Sequence, residues 1–348
     1  MSKKKKNKKS VGNKILTVLA IIVLVIIIIV SGGLAAGYGY VSSKLGKMQH
    51  VELKVDDLNV SENVGDEFRN VAIFGVDSRS SNLGKGNRSD CIIIASLNQK
   101  TKEISLISVY RDSYLEIEGY GLDKVTHAYS YGEAPLAINT LNTNLDLNIK
   151  EFVTVNFDAV AEAVDALGGI DIDLTSEEVK YLNSYIDETA NVTGKSHEKV
   201  SSPGLQTLNG VQAVAYSRIR YTEGGDAKRT ERMRDVIEAM AKKAKTLSIG
   251  EINDILDRIL PMIYTNISVS DMLALLPDAM NYKITDSIGW PYATRGITLD
   301  RWYGVPVTLE SNVEKLHTNC FEGEGEYTVP DEVKEISDKI ISRTGYTE

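Results

Sequence analysis

Cysteine, histidine and proline are scarce in this 348-residue chain, and each shortage removes a class of explanation. Two cysteines, Cys91 and Cys320, are too few for a disulfide scaffold. With the scattered His50, His127, His197 and His317 they show no ligand spacing for zinc. No GxSxG elbow, Walker loop or HExxH motif occurs, so triad hydrolysis, P-loop chemistry and zinc-peptidase chemistry lack their residues. Seven prolines against 27 glycines, with 43% hydrophobic and 25% charged residues, is ordinary globular composition and excludes disorder for most of the chain. Acidic residues are missing from residues 1–50, which carry nine lysines, so the other 298 residues hold 30 basic against 48 acidic side chains. A body that acidic is a poor general binder of nucleic acid, whose phosphates demand lysine and arginine.

What is present begins with a membrane signal. Lys3, Lys4, Lys5, Lys6, Lys8, Lys9 and Lys14 precede a stretch from Ile15 to Ser43 that has no charge. Roughly 20 residues at about 1.5 Å each cross a hydrocarbon core of about 30 Å. The run therefore predicts one transmembrane helix within 15–41, with Tyr38 and Tyr40 at the level of an aromatic belt. Lysines on the N-terminal flank place residues 1–14 in the cytoplasm and the rest outside the cell membrane. The apolar run is longer than the core of a cleaved signal peptide, which favours an uncleaved anchor. Residues 42–69 are polar and predict a spacer, followed by one domain over 70–348.

Within that domain, Val71 to Val76, Cys91 to Leu97 and Ile104 to Tyr110 read as buried strands, the last two forming a hairpin across the polar turn Asn98 to Lys102. Helices are expected at Ala134 to Leu145 and Ala159 to Leu167, with strands at Phe152 to Val155 and Ile170 to Leu174. Beyond Ser176 the pattern is mostly helical, ending in a helix from Pro330 to Ile341 with Val333, Ile336 and Ile340 on one face. These elements predict an α/β fold, a mixed central β-sheet covered by helices on both faces. A bridge between the cysteines would need the C-terminal segment to cross a central strand, so Cys91 is expected to be a free buried thiol.

Eight of the 13 arginines lie in three short places. Arg79 and Arg88 share a loop, Arg111 follows a strand, and Arg218, Arg220, Arg229, Arg232 and Arg234 fall within seventeen residues. Guanidinium forks address two oxygens at once, so arginines grouped at the loop ends of a sheet suit phosphate or pyrophosphate. Arg234, beside Glu231 and Asp235, reads instead as part of a solvated helix face. Asp77 and Asp90 stand at strand ends beside arginines and would suit a magnesium ion whose shell phosphate completes. Asp226 reads as the N-cap of the helix bearing Arg229 and Arg232.

Taken in order, Gly75-Val76-Asp77-Ser78-Arg79, Arg88-Ser89-Asp90, Val109-Tyr110-Arg111-Asp112, Lys124 with Ala128-Tyr129, Leu208-Asn209-Gly210 to Tyr216, Arg218-Ile219-Arg220, and Asp226 with Arg229 and Arg232 resemble the LytR-CpsA-Psr family. The resemblance is dense over residues 70–245 and agrees with the membrane anchor. It implies a phosphotransferase that moves a glycopolymer, such as teichoic acid or capsule, from a polyprenyl pyrophosphate carrier to a sugar hydroxyl of peptidoglycan, releasing polyprenyl phosphate. It further implies that Asp77 and Asp90 hold magnesium (or manganese) and that Arg79, Arg88, Arg111, Lys124, Arg218, Arg220, Arg229 and Arg232 surround the pyrophosphate. Asp77, Asp90, Arg79 and Arg218 would form the catalytic group, and an apolar pocket would take the polyprenyl tail. Two positions depart from the family pattern: Tyr110 stands where proline is frequent, and Met233 where glutamine commonly follows the second helix arginine. The alternatives are a non-catalytic anchor or sensor of anionic glycolipids, with no turnover to lose on mutation, and a polyprenyl-pyrophosphate pyrophosphatase, which water rather than a sugar would complete.

Overall fold

The computed structural model describes residues 38–78, 83–195, 198–244, 246–275, 281–321 and 327–347. The expected membrane helix falls outside them except for its last four residues, which open a short helix, Tyr38–Leu45. Among the described residues no helix is long and apolar enough to cross a membrane.

In chain order the strands are β1 (Gln49–His50), β2 (Phe68–Val76), β3 (Ser89–Asn98), β4 (Glu103–Val109), β5 (Tyr114–Ile117), β6 (Gly121–Lys124), β7 (Glu151–Asn156), β8 (Ile170–Leu174), β9 (Gly204–Leu208), β10 (Tyr264–Thr265), β11 (Lys283–Trp290), β12 (Thr294–Thr298) and β13 (Trp302–Pro306). Seven of them form a mixed sheet in the order β1-β10-β7-β2-β3-β4-β11, and three two-stranded ribbons pair β5 with β6, β8 with β9 and β12 with β13. The β3–β4 hairpin turns where expected, because the Asn98 side chain accepts from the Lys100 and Thr101 N–H groups and Lys102 adopts a left-handed φ of 60°.

Side chains alternate across the sheet and separate two cores. Val71, Ile73, Ile93, Leu106 and Val153 meet the helices Phe157–Ala166, Ser176–Thr193, Gly210–Arg218, Gly225–Ala244 and Ile249–Ile259 on one face. Ala72, Phe74, Ile92, Ile94 and Phe152 meet Val125–Leu145, Leu309–Cys320 and Asp331–Thr344 on the other. The mixed sheet covered on both faces agrees with the sequence reading, as does the terminal helix that buries Val333, Ile336 and Ile340. Neither cysteine is in a disulfide, half-buried Cys91 lying on the first face and buried Cys320 on the second.

Five details correct the sequence reading. The helix expected from Ala134 starts at Val125 and breaks at Gly132 and Glu133, because Pro135 removes an N–H and disfavours the helical turn before it. Leu208 ends β9; the helix after it begins at Gly210, with Asn209 and Gln212 capping each other's backbone. Asp226 stands inside the Gly225–Ala244 helix, so it is not its N-cap. β11 lies in a region expected to be helical or irregular, and its polar, half-exposed residues suit a strand at the sheet edge beside β4. Residues 42–69, expected as a spacer, are not an open tether: β1 joins the sheet, Leu45, Leu58 and Val64 are buried, and Lys44 and Lys47 both pair with Asp257.

Candidate active site

The strand ends of β2, β3 and β4 converge with the end of the Gly210–Arg218 helix and the N-terminal part of the Gly225–Ala244 helix. β2 and β3 pair Gly75 with Cys91 and Val76 with Ser89, so Asp90 is the extra residue of a β-bulge. A bulge re-aims its side chain away from the ladder. The Asp90 carboxylate, nearly buried, is met by the Arg111 guanidinium at Oδ1 and by Arg220 Nη2 at 3.8 Å from Oδ2. Buried Arg229 donates to the Asp90 carbonyl at 3.4 Å. Three arginines from two separate stretches of the sequence therefore converge on one aspartate.

Gly210 explains why Arg218 arrives here. A Cβ at that position would stand 2.1 Å from the Ala161 carbonyl oxygen, so only glycine lets this helix lie against Phe157–Ala166. Arg218, the helix's last residue, then stacks its guanidinium over the Phe157 ring at 5.1 Å and donates to Glu188 at 2.8 Å and Thr189 at 3.0 Å. Arg218 and Arg220, with Asp90, Arg229, Tyr185 and Met233, line a polar pocket. Arg232 is placed elsewhere, fully buried, with Nε donating to Glu178 at 2.8 Å and its other nitrogens to the Ile219 carbonyl and Thr222 Oγ1. Burial would raise the Glu178 carboxyl, but hydrogen bonds from the Thr175 backbone and Arg232, with the Arg232 charge, bring it below its ordinary value. Arg232 thus ties the helix to the scaffold behind the pocket.

The remaining candidates spread around this centre. Asp77 is half-buried, and its N–H donates to the Arg88 carbonyl at 3.2 Å, which brackets the loop carrying exposed Arg88. Arg79 lies outside the described residues. Lys124 donates to Asp112 Oδ1 at 2.8 Å, and Asp112 also lies 3.6 Å from Arg111 Nε. Burial pushes the Asp112 carboxyl up, and the Lys124 hydrogen bond with the Arg111, Lys124 and Arg229 charges reverses it to below its ordinary value. Asp112 was given no role in the sequence reading, although its adjacency to Arg111 marked it. Arg234, expected in solvent, is half-buried and donates to Ser108 Oγ on β4 at 3.2 Å.

Next to the polar pocket lies an apolar cavity of about 110 Å³ between the sheet and its helices, lined by Ile73, Val153, Val155, Val236, Met240 and Ile263 among others. Phe157 and Met233 line both spaces. This cavity could not be located by periodicity, because its residues belong to seven elements and each reads as an ordinary core position. Met233 sits at the junction, where a thioether faces the lipid-like side.

A charged pocket beside an apolar one at the strand ends of an α/β sheet is an arrangement suited to an amphiphilic, phosphate-bearing ligand. The sequence pattern of the LytR_cpsA_psr family matches residues 37–291, and the chain belongs to that family. It is 30% identical over 276 residues, 76% of this chain and 83% of the relative, to the polyisoprenyl-teichoic acid–peptidoglycan teichoic acid transferase TagT of Bacillus subtilis (strain 168). The TagU transferase of Enterococcus faecalis is 32% identical over 61% of this chain and 65% of its own length. Among solved structures, the LytR-CPS2A-psr family protein YwtF (TagT) with bound octaprenyl pyrophosphate lipid superposes with a TM-score of 0.55 at 26% identity, covering 78% of this chain and 99% of that one.

Asp77 and Asp90 are carboxylates, the donor type magnesium takes, at adjoining strand ends, and the Asp90 carboxylate is also met by Arg111 and Arg220. Among the described residues no cluster of three or more metal-ligating side chains occurs. Such a pair matches an ion that takes most of its shell from phosphate and water.

Proposed function

We propose that the protein transfers a phosphate-linked glycopolymer from a polyprenyl pyrophosphate carrier to a sugar hydroxyl of peptidoglycan, outside the membrane, with residues 15–41 as its anchor. The observation that carries this reading is the shared wall of the two pockets, since Phe157 and Met233 separate a space for an isoprenoid tail from a space lined by Arg218, Arg220 and Arg229. The relatives named as teichoic acid transferases and the homologue holding octaprenyl pyrophosphate support it.

Phosphoryl transfer needs alignment and charge neutralisation more than covalent chemistry. Arg220, whose side chain is 46% exposed, is free to swing onto a phosphate; Arg218 is held over Phe157 and frames the opposite wall. Buried Arg111 and Arg229 fix Asp90, and Asp77 with Asp90 would hold magnesium, which supplies a Lewis acid for the phosphate oxygens. Pyrophosphate already present in the donor supplies the energy.

The test incubates the full chain in detergent with a polyprenyl-pyrophosphate-linked glycan, magnesium and peptidoglycan oligomers, followed by mass spectrometry. A phosphodiester-linked product that disappears with chelator and in Arg220→Ala is the expected result. Polyprenyl phosphate formed without that product would make the protein a pyrophosphatase, and donor binding without turnover would make it a sensor.

A further inference from the structure

The β12–β13 hairpin lies beyond the residues matched to the family, and its two faces differ sharply. On the inner face Tyr303 and Val305 are buried, Tyr303 packing on Tyr114 at 4.6 Å between ring centres. On the outer face Trp302 is 48% exposed. Its indole lies across the hairpin on two glycines that pair with each other, Gly296 and Gly304. A Cβ on Gly296 would stand 2.8 Å from the indole nitrogen, and one on Gly304 would stand 3.6 Å from the far edge of the ring. Glycine at 296 lets the ring approach the hairpin backbone this closely, a Cβ on Gly304 would meet its far edge only at ordinary contact distance, and about half of the side chain is left in water. Next to it at the hairpin turn Asp300 and Arg301 are exposed, Asp300 accepting from Arg301 Nε at 2.8 Å and from the Tyr303 hydroxyl at 2.7 Å.

The plate is attached to the candidate active site. Gly304 donates its N–H to the Asp112 carbonyl at 2.9 Å, and Lys124, which holds the Asp112 carboxylate, lies 5.8 Å from the Tyr303 ring centre. At roughly 3.3 Å per strand residue, Trp302 is two residues from the segment that positions Arg111. The apolar cavity is bordered on the sheet by β7, β2 and Cys91 of β3, whereas Arg111 and Asp112 follow β4, the next strand. In an in-line phosphoryl transfer the attacking and leaving oxygens lie on opposite sides of phosphorus. A polyprenyl phosphate leaving into the cavity puts the acceptor on a side of the pocket away from the cavity, and the hairpin joined to Asp112 at the end of β4 is a surface available for it.

We propose that the outer face of the β12–β13 hairpin, with Trp302 laid over Gly296 and Gly304, is a carbohydrate platform that holds the peptidoglycan glycan strand as acceptor. Apolar faces of pyranose rings match a flat, exposed indole, and sugar hydroxyls match the Asp300–Arg301 edge. The assignment of the acceptor rests on the transferase reading above; the platform itself is tested by binding alone.

The chain has two tryptophans, and Trp290 is completely buried, so a change in tryptophan emission on ligand addition reports Trp302. The full chain in detergent is titrated with a lipid-free peptidoglycan glycan oligosaccharide. Saturable change of emission is expected, with affinity falling roughly tenfold in Trp302→Ala and largely restored in Trp302→Tyr, measured by calorimetry. Leu205→Ala, an exposed apolar position on β9, should bind as the unaltered chain does. In the transfer assay Trp302→Ala should raise the acceptor KM and leave kcat unchanged. Unchanged emission, unchanged affinity in Trp302→Ala, or preferential binding of the lipid-free glycopolymer or of stem peptides without sugar would overturn the proposal. Glycan binding at Trp302 in a protein that performs no transfer would support the platform while overturning the transferase reading.

Discussion

On one face of the sheet Phe74, Phe152, Tyr129 and Trp290 are fully buried, and Phe74 and Tyr129 stand 5.2 Å apart between ring centres. On the other face Ile73, Val153 and Val155, from the same strands, border a cavity. Aromatic rings and the C-terminal helices fill the first face, whereas helices bearing valine, alanine and methionine stop short of filling the second. The difference separates two tasks: the filled face fixes the strand ends that carry Asp77, Asp90 and Arg111, and the unfilled face leaves room for a ligand that must enter and leave.

The comparison predicts unequal responses to mutation. Phe74→Ala on the filled face should cost about 3–5 kcal/mol in chemical denaturation. Val236→Ala beside the cavity should cost only about 1.5 kcal/mol, roughly the transfer of two methylene groups. Equal losses would show that the cavity side is packed as tightly as the other. Glu178→Gln, which leaves buried Arg232 without its counter-charge, should destabilise by about 3 kcal/mol and lower activity in proportion to unfolding rather than by changing donor affinity. A change in donor affinity without loss of stability would return Arg232 to the binding residues.

Filling the cavity sharpens the contrast from the other direction. Val155→Phe should shift the melting temperature little while weakening polyprenyl pyrophosphate binding by at least about tenfold, or ~1.4 kcal/mol, in a tail-dependent assay that leaves short-chain pyrophosphates unaffected. The smallest effect concerns acid. Burial alone would raise the Asp123 carboxyl, but hydrogen bonds from His127 at 2.9 Å, the Lys124 N–H and Tyr131 hold it at about 2. A depressed carboxyl contributes stability that is present above its ordinary value and lost as pH falls through its folded value. Stability should therefore decline between about pH 4 and pH 2, and Asp123→Asn should flatten that limb in denaturation followed by circular dichroism.

Much of the fold was legible because its strands are strongly patterned. β3 carries a run of three isoleucines with a turn after it, and the Asp331–Thr344 helix shows its buried Val333, Ile336 and Ile340 at helical spacing. β11 was not legible, since an edge strand with exposed lysine, threonine and aspartate has no apolar run to announce it. In the site, arginine count and clustering marked Arg111, Arg218, Arg220 and Arg229 as a group. Arg232 carries the same sequence signal, and only its burial against Glu178, 54 residues away, sets it apart. Asp112 was passed over because a carboxylate beside an arginine reads as a local pair until Lys124 is seen to complete it.

The sequence by itself determined the acidic body, the long apolar run after a lysine-rich start, the mixed α/β sheet and the residue types suited to pyrophosphate. Those properties are written in composition, in periods of two and about 3.6 residues, and in short motifs. Tertiary structure alone decided which arginines share a pocket, that Asp90 turns into it through a bulge, and that an apolar hollow adjoins it at Phe157 and Met233. It also decided that an indole lies open beside Asp112 on two facing glycines. Each depends on residues distant in the chain meeting at strand ends, and a one-dimensional pattern records spacing along a strand or helix but not which surfaces meet across the sheet.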